Sequence, residues 1–103
     1  MAAKEYNGHL IRPLVIGDLT LTTNLIQGPL AGYSCAAMRK LTWQFGGVAY
    51  CTTEMLSAYS LANVKQQPRR YVSRDATEKV VCAQISGNKA DMLMAATERM
   101  LNL

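Results

Sequence analysis

The sequence has little of what marks a secreted, membrane-spanning or metal-binding protein. Its apolar runs fall short of the roughly 20 residues that a membrane span needs, and its start, MAAKEYNGHLIRP, contains no apolar signal core. Its cysteines, Cys35, Cys51 and Cys82, lie far apart and outside CxxC spacing, which argues against a disulfide framework or a zinc site. We therefore expect a protein of the reducing cytoplasm, with no membrane and no metal partner.

Charged residues and histidine are also scarce. Only 17% of the 103 residues are charged and 50% are hydrophobic, which is typical of one small globular domain. The single histidine, His9, has no partner that the sequence identifies. Lys and Arg total 11 against 7 for Asp and Glu, a net charge of +4. This surplus suits an anionic partner such as RNA or a phosphorylated ligand, and suits an ordinary solvated surface equally well.

The order of the predicted elements indicates an α/β fold. Residues 1–12 are predicted to form a loose arm, and residues 13–103 one domain. Gly17 and Asp18 stand between two short β-prone runs, which is typical of a hairpin. Strands are then predicted over 24–29, 48–55 and 79–86, with helices over 34–45, over 58–66, and after Gly87-Asn88. Strands that alternate with helices predict a parallel sheet with right-handed crossovers.

Patterns within the elements predict which side chains are buried. Ser34 and Ser57 are predicted to cap the first two helices. In the first helix, spacing predicts one buried and one solvent-facing set: Met38, Leu41 and Phe45 inside, and Arg39, Lys40 and Gln44 outside. The last helix is predicted to bury Leu93, Ala96, Met100 and Leu103. Cys51 and Cys82 are predicted to be small core residues of strands.

The stretch IQGPLAGYS, residues 26–34, joins a strand to a helix with almost no polar side chain. Such a junction offers a ligand its backbone, and Gly28 and Gly32 would allow a flat ligand to approach closely. An ordinary tight turn has the same composition. Because ligands of parallel α/β folds bind at the carboxyl ends of the strands, this turn is a candidate site.

Two polar residues occupy the ends of the other strands. Gln84 lies in the apolar stretch VVCAQISG, where a buried amide costs about 1–3 kcal/mol unless it is hydrogen-bonded. Its amide suits the edge of a ring with imide groups, or is satisfied by neighbouring backbone. Glu54 either orients a ligand or pairs with a basic residue. The segment QQPRRYVSR, with Arg69, Arg70, Tyr71 and Arg74, either contacts phosphates or is a solvated connection.

Three segments together resemble a known family. GPLAGYS, TTEMLSA and VVCAQISG, in this order and spacing, resemble the N-terminal part of the tRNA-dihydrouridine synthases, which are flavin enzymes on a TIM barrel. The resemblance covers roughly residues 12–103 and implies the N-terminal portion of a (β/α)8 barrel, preceded by a β-hairpin. It also implies that Pro29, Leu30 and Ala31 line FMN and that Gln84 hydrogen-bonds the isoalloxazine ring. Leu30 stands where the family usually has methionine, and Tyr33-Ser34-Cys35 lacks the usual acidic residue.

The resemblance implies reduction of uridine to 5,6-dihydrouridine in tRNA, with NADPH as reductant, FMN as hydride carrier and a cysteine as proton donor. The family's Asn-x-Gly-Cys-Pro motif, its lysine and its phosphate-binding loops do not occur in these 103 residues. No catalytic residue is therefore assigned, and the chain is expected to be an inactive N-terminal fragment. Two alternatives remain open: another FMN-dependent TIM-barrel oxidoreductase acting on a small molecule, or a non-catalytic chain that binds RNA or a partner.

Overall fold

The computed structural model describes residues 10–65 and 73–102 and starts with a β-hairpin. Strands β1 (Leu14–Ile16) and β2 (Leu19–Leu21) pair antiparallel. Gly17 has φ of +57°, the left-handed conformation that a tight turn requires. The predicted hairpin is therefore confirmed. His9 and the predictions for Arg69, Arg70, Tyr71 and Leu103 concern residues outside the described ranges. Arg74, from the same basic segment, is described and donates to the Glu78 carbonyl.

After the hairpin, strands and helices alternate as predicted. The remaining elements are β3 (Ile26–Gln27), α1 (Ala36–Phe45), β4 (Tyr50–Thr52), β5 (Leu56–Ser57), α2 (Ala58–Asn63), β6 (Val81–Cys82), β7 (Ile85–Ser86) and α3 (Ala90–Leu101). One sheet has the order β3-β4-β6 and a second pairs β5 with β7, and all of these pairs are parallel. The chain is an α/β protein with parallel β-α units.

The strands are shorter than the sequence predicts, and the predicted strand over 79–86 is divided in two. Its first part, β6, pairs with β4, and its second part, β7, pairs with β5. Between β6 and β7, the main-chain amide of Gln84 donates to Thr53 Oγ1 at 3.0 Å, and the Leu56 amide donates to the main-chain carbonyl of Gln84 at 2.8 Å. These bonds join the third strand to the segment between β4 and β5, so the ladder is interrupted but the chain stays paired.

Helix α1 ends at Phe45 as predicted, but its beginning differs from the prediction. The N-cap is Cys35, with no side-chain capping bond, and Ser34 was wrongly predicted as the cap. The Ser34 hydroxyl instead donates to the Leu30 carbonyl at 3.0 Å and accepts from the Leu30 amide at 2.9 Å. A hydroxyl engaged in the preceding turn has no geometry left to cap the helix.

The buried face of α1 also differs from the prediction. Arg39, which was predicted to face solvent, is 1% exposed, whereas Leu41 and Phe45 are 53% and 79% exposed. The cause is an ion pair: Arg39 Nε donates to Glu78 Oε1 at 2.8 Å, and Glu78 is fully buried. A paired guanidinium with its hydrogen bonds satisfied can be buried where an unpaired one could not.

The two strand cysteines lie on opposite faces of the first sheet. Cys51 is fully buried, and its thiol lies 4.0 Å from the Arg39 carbonyl of α1, so its predicted core position is confirmed. Cys82 is exposed, and its predicted core position is wrong. Register pairs Cys82 with Thr52, the neighbour of Cys51, so Cys82 projects from the face opposite α1. Ile26 is also 44% exposed, contrary to the burial predicted for its strand.

The apolar core lies in the second half of the chain. The buried side chains that form it are Leu56, Ala58, Leu61 and Ala96, with Ala83, Ile85, Met92, Leu93 and Met100 packed against them. Helix α2 is capped as predicted, because Ser57 Oγ accepts from the Ser60 amide at 3.2 Å, but it ends at Asn63. Helix α3 places Leu93, Ala96 and Met100 on this core, and that predicted face is confirmed.

In the described ranges, none of the helices is both long and apolar enough to cross a lipid bilayer. The same residues contain no cluster of three or more His, Cys, Asp or Glu side chains placed to hold a metal ion.

Candidate functional site

Three segments meet at the carboxyl edge of the β3-β4-β6 sheet. Strand β3 leads into the turn of residues 28–34, β4 leads into Thr53 and Glu54, and β6 leads into Gln84. Because these strands are parallel, their carboxyl ends lie on the same side. The sequence-predicted site residues Pro29, Leu30, Ala31 and Gln84 therefore belong to one edge of the sheet.

The turn of residues 28–34 is held by its own hydrogen bonds. The amides of Tyr33 and Ser34 both donate to the Leu30 carbonyl at 2.9 Å, and the Ser34 hydroxyl bridges the Leu30 amide and carbonyl. Gly32 has φ of +82°, a conformation that other residues rarely adopt. The turn is thus a fixed structure whose backbone needs a glycine at position 32.

Glu54 fixes the turn from the neighbouring strand. Its Oε1 accepts from the Gly32 amide at 2.7 Å, and the residue is only 5% exposed. A buried carboxylate that accepts from a backbone amide makes a short, charge-assisted bond. The sequence suggested that Glu54 either orients a ligand or pairs with a basic residue, and neither interpretation anticipated this bond. Through it, Glu54 shapes the turn.

Gln84 is fixed through its main chain. Its main-chain amide donates to the Thr53 hydroxyl, and its main-chain carbonyl accepts from the Leu56 amide. The Thr53 amide in turn donates to the Cys82 carbonyl at 2.8 Å. Within the described residues, the hydrogen bonds of Gln84 involve its main chain and not its half-buried side chain. The side-chain amide keeps both its donors and its acceptor for another group.

The surface of the turn is open and mostly apolar. Leu30 is 49% exposed, and Pro29 and Ala31 are also exposed. A Cβ added at Gly28 or at Gly32 would meet no atom within 4 Å. A planar ligand therefore has room to lie against this backbone.

The Arg39–Glu78 pair is the feature near the site that sequence reasoning missed. Arg39 Nη1 donates to the Ser34 carbonyl and Nη2 to the Ser73 carbonyl, each at 2.8 Å. Glu78 Oε2 accepts from the Asp75 amide at 2.9 Å. The available signal was the spacing of Arg39 and Trp43, which share one helical face with Cys35.

Two titratable groups near this pair have shifted pKa values. Burial raises the pKa of the Cys51 thiol, Glu78 raises it further, and Arg39 opposes both, so Cys51 stays protonated at neutral pH. Hydrogen bonds from the Thr77 hydroxyl and amide lower the pKa of Asp75, with a further contribution from Lys40. A buried, protonated thiol of this kind is typical of a packing residue.

Comparison with known proteins identifies the relatives of this chain. The family model described as dihydrouridine synthase (Dus) matches residues 26–102. A probable tRNA-dihydrouridine synthase 1 of Synechocystis sp. is 28% identical over 88 residues, 85% of this chain and 24% of the relative. Probable tRNA-dihydrouridine synthases of Treponema pallidum and Helicobacter pylori are 29% and 33% identical, over 89% and 73% of this chain.

The chain spans about a quarter of the length of these curated relatives, between 23% and 26%. No solved structure gives a significant match. The family match covers the turn of residues 28–34, Glu54 and Gln84, the segments that meet at the carboxyl edge. The chain therefore belongs to the dihydrouridine synthase family.

Proposed function

We propose that this chain is the flavin-side part of an enzyme that reduces uridine to 5,6-dihydrouridine in tRNA. In this proposal its hairpin and three parallel β-α units, residues 13–103, are the N-terminal portion of a (β/α)8 barrel. The observation that carries the proposal is the carboxyl edge of the sheet. There an open apolar turn occurs together with Gln84, whose side-chain amide makes no hydrogen bond within the described residues. Family membership supplies the reaction.

The residues at this edge fit FMN. An isoalloxazine ring has an apolar face, which suits the exposed surface of Pro29, Leu30 and Ala31. Its imide edge carries both donors and acceptors, and the Gln84 amide offers the complementary groups. The space beside Gly28 removes the steric obstacle to close contact.

Each residue at the carboxyl edge has a defined part in this proposal. Pro29, Leu30 and Ala31 contact the ring, and Gln84 orients it by hydrogen bonds. Glu54 keeps the turn in place through Gly32. FMN, when bound, supplies hydride transfer, with NADPH as the reductant.

The substrate belongs to the whole enzyme. The uracil must leave its stack to reach a ring at the barrel mouth, so unstacked loops of tRNA are the natural substrates. The net charge of +4 favours a polyanionic partner. No residue of this chain is assigned to proton transfer, because Cys35, Cys51 and Cys82 lie outside the family's cysteine motif.

The test is a chimera in which residues 26–102 replace the matching segment of the Helicobacter pylori relative. Gln84→Leu in this chimera is expected to lower bound FMN about 5- to 100-fold, because imide groups of the ring lose their partner. Cys82→Ala, an exposed position two residues away, is the matched control and is expected to retain FMN.

Two measurements decide the result: flavin absorbance of the purified variants, and dihydrouridine formed on unmodified tRNA with NADPH. Equal flavin content in the Gln84→Leu and Cys82→Ala variants would remove Gln84 from the site. A folded chimera that binds FMN and reduces a small molecule but not tRNA would overturn the substrate.

A further inference from the structure

Arg39 and Glu78 form a buried charged pair that joins two segments far apart in sequence. Arg39 lies in α1, and Glu78 lies three residues before β6. The two residues are 1% and 0% exposed. Burying two charges carries a large desolvation cost, and an apolar pair of similar volume would often be as stable or more stable. The presence of the pair therefore calls for a role other than stability.

The hydrogen bonds of Arg39 indicate that role. The guanidinium donates to the Ser34 carbonyl at 2.8 Å, and Ser34 closes the turn by bonding the Leu30 amide and carbonyl. A second guanidinium nitrogen donates to the Ser73 carbonyl. The planar fork of arginine can serve these acceptors and Glu78 together, which a lysine could not.

Glu78 in turn organises the segment before β6. Its Oε1 accepts from Arg39, its Oε2 accepts from the Asp75 amide, and its carbonyl accepts from Arg74. Strand β6 leads directly to Gln84. The pair thus lies between the two segments of the proposed flavin site: it holds the turn on one side and the chain that leads to Gln84 on the other.

We propose that Arg39 and Glu78 are positioning residues that hold the turn of residues 28–34 in the geometry used for flavin contact. The part concerning flavin rests on the proposed function. The part concerning the turn does not, because it is defined by bonds within the chain. Stability and positioning make different predictions for a variant in which both charges are removed.

The deciding variant is the double substitution Arg39→Met with Glu78→Leu. It removes both charges together at similar volume, so its unfolding midpoint is expected to equal or exceed that of the wild type. The Ser34 carbonyl nevertheless loses its donor, so the amides of Leu30 and Ser34 are expected to exchange with solvent at least about tenfold faster. Amide exchange is measured by NMR, without flavin, in the 103-residue chain and in parallel in the chimera.

Arg99→Met is the matched control. Arg99 also donates to backbone carbonyls, those of Leu61, Val64 and Lys65, but it joins α3 to the end of α2. Its loss is expected to speed exchange at the Val64 amide and to leave Leu30 and Ser34 unchanged. Arg39→Lys keeps the charge but not the fork, and it is expected to speed exchange at Leu30 and Ser34 as well.

The outcomes separate this inference from the proposed function. A stable double variant with wild-type exchange at Leu30 and Ser34 would overturn the positioning role. A failure of the unsubstituted, folded chimera to bind FMN would overturn the flavin site, and the exchange result would still stand. Fast exchange at the turn with FMN affinity lowered about tenfold or more in the chimera supports both.

Discussion

Two regions of this chain are held together in different ways. The polar unit, residues 26–54 with 73–82, is fixed by buried charges: Arg39 pairs with Glu78, and Glu54 accepts from the Gly32 amide in the turn between β3 and α1. The apolar unit, residues 56–63 with 83–101, is fixed by packing of Leu61 and Ala96. Apolar packing is non-directional, whereas hydrogen bonds to a buried charge determine where individual backbone atoms lie.

This difference corresponds to the difference in task. A core of this kind tolerates volume-conserving substitutions. Of the proposed site residues, the apolar unit contains only Gln84, whereas Pro29, Leu30 and Ala31 lie outside it. The polar unit carries the turn on which the proposed flavin site depends. We infer that the buried charges of the polar unit contribute little net folding free energy but define its backbone geometry. The apolar unit supplies most of the stability of the fold.

The largest expected effect comes from breaking the charged pair on one side. Glu78→Leu leaves Arg39 buried without its carboxylate and is expected to cost about 3–5 kcal/mol of unfolding free energy. The matched control, Lys40→Met, breaks the exposed Lys40–Asp75 pair, in which the side chains are 45% and 30% exposed. It is expected to change stability little. Urea denaturation measures both, and equal losses would contradict the distinction.

Leu61→Ala tests the apolar unit. Leu61 is 1% exposed in the core, so its truncation is expected to cost about 2–4 kcal/mol through lost transfer energy and a cavity. Leu41→Ala, in a helix but 53% exposed, is the control and is expected to cost much less. If the two units are independent, Leu61→Ala should speed amide exchange at Leu30 and Ser34 only as far as it speeds global unfolding. A selective loss of protection at the turn would show that the two units are not independent.

Glycine substitutions are expected to affect stability in the apolar unit and FMN retention in the polar unit. Gly87→Ala places a Cβ 2.9 Å from the Ala58 Cβ, and this overpacking is expected to cost about 1–3 kcal/mol. Gly28→Ala meets no atom within 4 Å, so stability should stay the same, while FMN retention in the chimera should fall because the methyl group occupies the approach to the backbone. Thermal unfolding and flavin absorbance test the pair of variants. Full FMN retention in Gly28→Ala would place the ring elsewhere.

A smaller effect, of opposite sign, is expected at Gln27. Both polar atoms of its side-chain amide are buried and lack a partner within the described residues. Gln27→Leu is therefore expected to raise the unfolding free energy by about 1 kcal/mol. Gln44→Leu, on the exposed side of α1, is the control and should change it little. A loss of stability in Gln27→Leu would mean that the amide has a partner outside the described ranges.

Local rules predicted much of this structure from the sequence. The hairpin at Gly17-Asp18 and the Ser57 cap follow from turn and capping chemistry, and the Ala96 face of α3 follows from helical spacing. The alternation of strands and helices predicted the parallel sheet. The predicted site residues lie at the expected carboxyl edge, but their contact with flavin remains a prediction.

Most of the failures share one physical cause, which is contact between residues distant in sequence. The Ser34 cap is the exception, because its hydroxyl bonds Leu30 in the adjacent turn. Arg39 looks solvent-facing until Glu78, 39 residues later, is placed beside it. Cys82 looks buried because its strand is apolar, and only the sheet register shows that it projects from the face opposite α1. The break between β6 and β7 lies beside the break between β4 and β5 in the neighbouring strand, which no pattern within VVCAQISG reveals.

The smallest expected signal is FMN bound by residues 1–103 alone. The β3-β4-β6 order leaves one edge of β3 and one of β6 without a strand partner in the described residues, and Ile26 and Cys82 are exposed between them. A ring resting on the turn at the carboxyl edge would be covered on one side only, and the phosphate of a flavin in a barrel is usually held by loops late in the fold. The polar unit should therefore keep its turn geometry while it binds FMN far below one equivalent and forms no dihydrouridine. Equilibrium dialysis with FMN and a tRNA reduction assay with NADPH measure this. A monomer of residues 1–103 that holds one FMN and turns over would show that the polar unit is a complete site, and the comparison of the two units would have to be redrawn.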